Sequence, residues 1–365
     1  MRNVLLVDLG KQYGGAEKYI EHIEKNFEKE YVFHLLVRNA CPFYNILMKN
    51  KIERVISINL TVKSLIKDLL YVGRYIKKNH IEIIHVNGVN SEVFTYLLKL
   101  YLKNEKIKYV STVHGIAEKD RMEKNKFQQL LFAGMQIKVL RNFDRIIAVS
   151  YSIKEDLLKK GINEDKIQVI YHSIETEENQ IRKKYERHRP LKVCSVGRLE
   201  KVKNTQMLIE TIALLDNKEE FLCDIYGMGS LYHDLDQLII RKGLENIIHL
   251  KGFENDVKTI YRKYDVMVQP SSYESFGMTV IEAMAAGLPV ICSDVGGLAE
   301  IVKDKENGFL FNVDSTDELA KILLDINNDR YDLEKIRENA QIMIKERFQI
   351  STYKNKLRQI YEERT

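Results

Sequence analysis

Short β-branched apolar runs alternate with longer amphipathic stretches along the whole chain. In the first half, runs at 3–8, 31–37, 53–58, 81–86, 107–113, 144–149 and 166–170 predict strands, and helical periodicity falls at about 15–29, 62–79, 90–104, 121–142 and 151–161. In the second half, strands are predicted at 191–196, 221–226, 247–251, 264–269, 288–292 and 309–312, with helices between them and on to the C-terminus. Strands that alternate with helices in this way predict parallel sheets covered by helices, an α/β fold of two Rossmann-like doubly wound domains. Residues 175–190 have few apolar positions and many charges, and read as a linker or an exposed helix. The predicted division is a first domain over 1–172, a linker over 173–190 and a second domain over 191–348, with a last helix at about 349–365. Two such domains would place a cleft between the carboxyl ends of their sheets, where ligands bind in this fold class.

Composition narrows this picture without changing it. A chain of 365 residues is long enough for two domains with separate cores. The net charge of +5 is mildly basic, but the Lys-rich stretches also carry Glu and Asp, so no nucleic-acid-binding pattern is present. A basic surface suits an anionic lipid or a phosphorylated substrate as well. Cys41, Cys194, Cys223 and Cys292 show no paired spacing, which points to free thiols in a reducing, cytoplasmic setting. The apolar start Val4–Val7 is too short for a signal peptide, and no apolar run reaches the ~18 residues needed to span a bilayer. Any membrane contact is therefore expected to be peripheral. Helix 121–142, which mixes Arg121, Lys124, Lys126, Lys138 and Arg141 with Leu130, Phe132 and Met135, could lie on an anionic membrane or simply cover a sheet.

Candidate chemistry gathers where strands end. Gly14 and Gly15 follow the first strand and open the first helix, where glycine lets a ligand approach backbone N–H groups; there is no G-x-G-x-x-G dinucleotide fingerprint. His114 and Gly115 end the run at 107–113, although a single histidine in such a place is often structural. Arg198 and Lys203 follow the first strand of the second domain, and a guanidinium with an ammonium suits a diphosphate. Gly227 and Gly229, then Gly252 and Phe253, mark two further strand exits that plain turns would also explain. The run Ser271–Gly287 carries Glu274 in a strand-to-helix loop and Glu282 inside the helix that follows, where a carboxylate either faces solvent or binds a ligand hydroxyl. The start of that helix offers free N–H groups to an anion. Gly296 and Gly297 form a last glycine-rich exit. Asp234 and Asp236 satisfy a D-x-D pattern but sit mid-helix facing different directions, and no cluster has metal-ligand spacing.

These segments together resemble retaining glycosyltransferases of family 4, which have the GT-B architecture. Glu274 and Glu282 stand as that family's E-x7-E element, with Phe276-Gly277, Glu282-Ala283 and Gly287-Leu-Pro-Val290 in register. Gly197-Arg198 and Lys203 match its G-R-x4-K element, whose spacing selects Lys203 over Lys201. The resemblance covers most of the chain and is densest between Cys194 and Gly308. It implies that the last helix crosses back to the first domain and that the protein moves a sugar from a nucleotide-diphosphate donor, UDP-sugar favoured over GDP-sugar, to a hydroxyl of a glycan or lipid-linked acceptor. Cell-surface polysaccharide or glycolipid synthesis, at the inner face of the membrane, is the implied setting.

The resemblance also implies residue roles. Glu274 would hold the donor sugar and Glu282 the ribose. Arg198, Lys203, Gly14, Gly15 and the stretch Phe276, Gly277, Met278 and Thr279 would bind the diphosphate. Gly227 and Phe253 would lie near the nucleotide, and Glu17 and His114 would face the acceptor. Neither a cofactor nor a protein-bound metal is implied, and the leaving phosphate itself would take the acceptor's proton. One departure stands out: where many relatives read Asn-Gly, this chain reads Tyr171-His172-Ser173. A catalytically silent GT-B partner subunit and a sugar-nucleotide epimerase are the alternative readings.

Overall fold

The computed structural model describes the chain except for residues 12, 13, 104, 117–125, 175–187, 255 and 364–365, and except for the side chains of 16, 126–131 and 258. The chain forms two compact units, Met1–His172 with Tyr353–Thr365, and Ser173–Thr352.

The first unit holds a sheet of seven strands: β1 (Arg2–Asp8), β2 (Tyr31–Arg38), β3 (Val55–Ile58), β4 (Ile81–Asn87), β5 (Lys108–Val113), β6 (Arg145–Ala148) and β7 (Ile167–Val169). Their order is β3-β2-β1-β4-β5-β6-β7, and every neighbouring pair is parallel. Val4–Val7 are buried completely, as expected of a strand covered on both faces. The order reverses between β1 and β4, the place where a doubly wound sheet leaves a crevice for a ligand. Asp8 ends β1 in register with Asn87 at the end of β4, and Asn87 pairs in turn with Thr112 near the end of β5.

Helices α1 (Gly15–Phe27), α2 (Pro42–Lys49), α3 (Leu65–Lys78), α4 (Val89–Tyr101), α5 (Lys126–Leu140) and α6 (Tyr151–Lys159) connect these strands. Helix α2 was not anticipated by periodicity: it has eight residues, and its start is marked by Pro42 and by the Cys41 thiol accepting from the Tyr44 amide at 3.3 Å. Helix α3 begins three residues later than expected because Thr61 and Ser64 close a turn through their hydroxyls.

The second unit holds six parallel strands: β8 (Leu191–Val196), β9 (Phe221–Tyr226), β10 (Ile248–Gly252), β11 (Val266–Gln269), β12 (Val290–Ser293) and β13 (Phe309–Phe311). Their order is β10-β9-β8-β11-β12-β13, with the reversal between β8 and β11. Helices α7 (Thr205–Leu214), α8 (Tyr232–Arg241), α9 (Val257–Tyr261), α10 (Met278–Ala285), α11 (Gly296–Ile301), α12 (Thr316–Asn327) and α13 (Leu333–Arg347) surround it.

The last helix, α14 (Ile350–Glu362), joins the first unit from Tyr353 onward. Tyr353, Leu357, Ile360 and Tyr361 are buried there, each apolar side chain contributing about 1.5–3 kcal/mol. Arg2 donates to the Tyr361 carbonyl at 2.5 Å, and Lys108 caps the helix through the carbonyls of Ile360 and Glu363. Arg358 and Lys354 pair with Glu30 at 2.8 and 3.1 Å.

Candidate active site

In the second unit the loop after β8 is tied to the loop after β9 by backbone bonds and by the Glu200 carboxylate, which accepts from the Ser230 amide at 3.0 Å and the Ser230 hydroxyl at 2.6 Å. Gly197 N donates to Tyr226 O and Leu199 N to Met228 O, both at 3.0 Å, so the sheet pairing continues past the strand ends. Gly227 N donates to Gly252 O at 2.7 Å. The two loops lie so close that a Cβ on Gly227 (φ +145°) would sit 1.8 Å from the Gly197 carbonyl oxygen, and one on Gly229 would sit 2.3 Å from that of Leu199. The Gly227-Met-Gly229 pair therefore exists to let the Arg198 loop pass.

Along that loop the Lys203 stem crosses Gly197, and its ammonium pairs directly with the Glu274 carboxylate. The two side chains, 71 residues apart in sequence, are only 18% and 13% exposed. Two bonds from Ser272, its amide at 2.9 Å and its hydroxyl at 3.1 Å, both to Val202 O, tie the lysine loop to the glutamate loop. Ser271 donates to Glu274 at 3.4 Å, accepts from Gln269 Nε2 at 2.8 Å and has its carbonyl held by Ser293 Oγ at 2.5 Å. Arg198 is exposed, and its guanidinium has no partner among the described residues.

The glutamate loop then runs into α10. The Phe276 ring is 3% exposed and meets Phe348 edge-on at 5.8 Å, so it anchors the loop and only the backbone of Phe276 could serve a ligand. Gly297 N donates to Glu274 O at 2.8 Å, and a Cβ on Gly297 would meet Ser275 O at 2.5 Å, so this glycine too supports the loop from behind. Gly277 adopts φ +107° as the N-cap of α10. The amides of Gly277, Met278 and Thr279 have no acceptor among the described residues, which leaves a positive helix end beside Glu274. Glu282 is half-buried further along α10, close enough to Tyr261 that its carboxylate adds to burial in pushing that phenol well up. Phe253 is 65% exposed just after β10, a free aromatic face next to Gly227's hydrogen-bond partner. Asp234 lies exposed in the first turn of α8.

In the first unit, Gly14 is the N-cap of α1 and Glu17 accepts its amide at 2.8 Å; Glu17 thus closes its own helix start. His114 Nε2 lies against Asn87 Oδ1, Asn87 Nδ2 donates to Asp8 Oδ2 at 2.7 Å, and Gly10 N donates to Asp8 Oδ1 at 2.9 Å. The His172 ring stacks on His114 at 5.2 Å and 7°, with Tyr19 meeting both edge-on at 5.1 and 4.9 Å. His85 is bracketed by Thr112 Oγ1 at 2.7 Å and Tyr361 Oη at 2.6 Å, and Tyr19 Oη reaches Thr112 at 3.1 Å. The sequence points to His114 here and shows His172 only as a departure from the family pattern, while Asp8, Tyr19, His85 and Asn87 carry no motif. Asp8 and Asn87 each end an apolar strand run, which was the available signal.

Burial sets the charge states of this cluster. It holds His114 at about 4 and His85 at about 3, the latter with a further push from His114. His172 is held well below the usual imidazole range by burial first and then by His114 and His22. Glu92, buried under Ser111, goes the other way and is pushed up to about 7 by burial. Above about pH 6.5 the rings are neutral in both folded and unfolded chains; below it only the unfolded chain takes up protons, so stability is lost as pH falls toward 4 and 3. Glu92 opposes this, its contribution being complete below about 4.5 and lost as pH rises through 7. Burial raises Asp8 as it does Glu92, but the three rings are expected to outweigh the two carboxyls, giving a net loss of stability between pH 6.5 and 5. Denaturant melts at pH 7 and 5 check this, and an equal or higher midpoint at pH 5 would refute it.

Of the predicted membrane helix, 121–125 lie outside the described residues. The described part of α5 buries Ala133, Ile137, Val139 and Leu140 and packs against α4.

Two parallel α/β units of this kind make the GT-B architecture, and HepE of Anabaena, solved with UDP and glucose, has this fold: TM-score 0.84 at 21% identity, covering 100% of both chains. Residues 13–178 match the model of Glycosyltransferase Family 4, and 176–343 match that of Glycosyl transferases group 1. The chain belongs to glycosyltransferase family 4. It is 29% identical over 357 residues to an uncharacterised glycosyltransferase of Methanocaldococcus jannaschii, covering 96% of this chain and 95% of that one. It is 25% identical over 315 residues to the Escherichia coli UDP-Gal:alpha-D-GlcNAc-diphosphoundecaprenol alpha-1,3-galactosyltransferase, covering 82% and 80%.

Proposed function

We propose that this glycosyltransferase moves a sugar, with retention, from a nucleotide-diphosphate donor to a hydroxyl of a glycan or lipid-linked acceptor, in polysaccharide or glycolipid synthesis. The observation that carries this is the Lys203–Glu274 contact, which sets a cation beside a carboxylate that could accept from sugar hydroxyls, just before α10. Arg198, Lys203 and the Gly277–Thr279 amides would stabilise the charge that develops on the departing diphosphate. Glu274 would accept from the sugar hydroxyls and Glu282 from the ribose. Phe253 would stack on the base, and His114 would serve the sugar and acceptor side. The proton of the acceptor would leave with the phosphate, and no protein-bound metal is assigned a part. HepE, solved with UDP-glucose, and the galactosyltransferase named for a UDP-sugar and a diphosphoundecaprenol acceptor support a UDP-sugar and a lipid-linked acceptor.

A panel of UDP- and GDP-sugars in thermal melts tests the donor. A ligand at one hundred times its Kd adds about 2.7 kcal/mol, or roughly 5–10 °C. No shift with any of them would reject the reading.

A peripheral place at the inner membrane surface is part of the same proposal. No described helix is long and apolar enough to cross a membrane. Beside α3, Val62 and Ile66 are 96% and 74% exposed, flanked by exposed Lys63, Lys67 and Arg74. Such a face suits anionic lipid. Ile66→Glu is expected to abolish sedimentation with phosphatidylglycerol vesicles, and unchanged sedimentation would exclude this face.

A further inference from the structure

The fold also specifies which hydrogen bond the His114 ring can offer. Asp8 is buried, one of its oxygens accepts the Gly10 amide, and the other lies 2.7 Å from Asn87 Nδ2. A carboxylate only accepts, so it keeps the nitrogen end of the Asn87 amide on its own side and turns the carbonyl oxygen toward His114. That oxygen also only accepts, so the nitrogen facing it, His114 Nε2, must carry the proton. Nδ1 is then a bare lone pair, and it has no hydrogen-bond partner among the described residues. The groups beside the ring are Tyr19 from α1, His85 and Asn87 from β4, and His172, which follows β7 and covers one face, with Asp8 of β1 behind Asn87. A ring held on its face, edge and Nε2 cannot turn to exchange its nitrogens.

We propose that Asp8 and Asn87 are positioning residues that lock His114 in its Nε2–H form and so present Nδ1 as an acceptor, selecting a ligand hydroxyl over a phosphate or carboxylate oxygen at this point. An anionic oxygen has no proton to give, and two lone pairs facing each other repel. This rests on the reading that His114 faces a sugar.

The test is nuclear magnetic resonance of the labelled histidine nitrogens in the intact protein at neutral pH, with His114 assigned by its loss in His114→Gln. The expected ring has its proton on Nε2 and a bare Nδ1. Asp8→Asn, equal in size, frees the Asn87 amide to present either end, and the single form should give way to a mixture. Asn87→Asp should keep the Nε2 proton but charge the ring, moving the acid limb of the pH–rate profile upward. Both variants should lower turnover about tenfold or more with little change in donor KM.

A wild-type ring protonated on Nδ1 or on both nitrogens would overturn the proposal. So would variants that melt like the wild type and keep both tautomer and turnover. The wild-type spectrum needs neither variant nor substrate, so it decides the lock even if Asp8→Asn does not fold. A wild type that turned over no nucleotide sugar would sink the transferase reading of the site instead.

Discussion

Lys203→Met is expected to lower kcat by ~10²–10³, about 2.7–4 kcal/mol of transition-state stabilisation, because it removes a fixed positive charge from where the diphosphate would depart. The same substitution strands the Glu274 carboxylate in a site that is mostly closed to water, so a loss of roughly 1–3 kcal/mol in folding stability should accompany it. These two effects separate in the double variant. Lys203→Met with Glu274→Gln removes both charges, so the melting temperature should recover while transfer stays lost. Glu274→Ala alone should likewise abolish transfer, whereas Asp234→Ala, on the exposed face of α8, should leave it intact. Steady-state assays with a nucleotide sugar measure all four. Equal activity in Glu274→Ala and Asp234→Ala would refute the assignment.

Gly227→Ala should be the most damaging small substitution in the second unit. The new methyl would stand 1.8 Å from the Gly197 carbonyl oxygen, which is backbone and cannot swing aside, at a φ of +145° that side chains avoid. Forced strain and overpacking together give about 3 kcal/mol or more, a fall in Tm of roughly 6–12 °C. Any variant that folds should bind the donor poorly, since the displaced loop carries Arg198. Gly134→Ala is the contrasting case, because a Cβ there meets nothing within 4 Å on an exposed face of α5 and should be neutral or slightly stabilising. Similar melting temperatures for the two variants would show that the loops tolerate separation.

Strands such as Val4–Val7 and Val266–Val268 were legible because a strand covered on both faces must be apolar throughout. Helix α2 was not, since eight residues capped by a cysteine thiol carry too little periodicity to read. The loop motifs pointed to Lys203 and Glu274 one at a time, but nothing local says that two side chains 71 positions apart should touch. Sheet order supplies that contact by placing β8 next to β11. The same holds for Asp8, Asn87 and His114: each is a lone polar residue at a strand end, and only the order β1-β4-β5 makes them a chain of hydrogen bonds. In the sequence Gly227 reads as a turn residue, yet its missing side chain is required by a neighbouring carbonyl, a packing fact with no trace in spacing.

Because Tyr353, Leu357 and Tyr361 fill space under β1, β2 and β4, the unit that the ribosome makes first is the one that must wait. Its early residues leave the exit tunnel with a hydrophobic gap that nothing translated before position 353 can fill. The later unit has all its own parts by then, so maturation should proceed in reverse of synthesis, and nascent chains stalled short of that helix would be natural clients for chaperones.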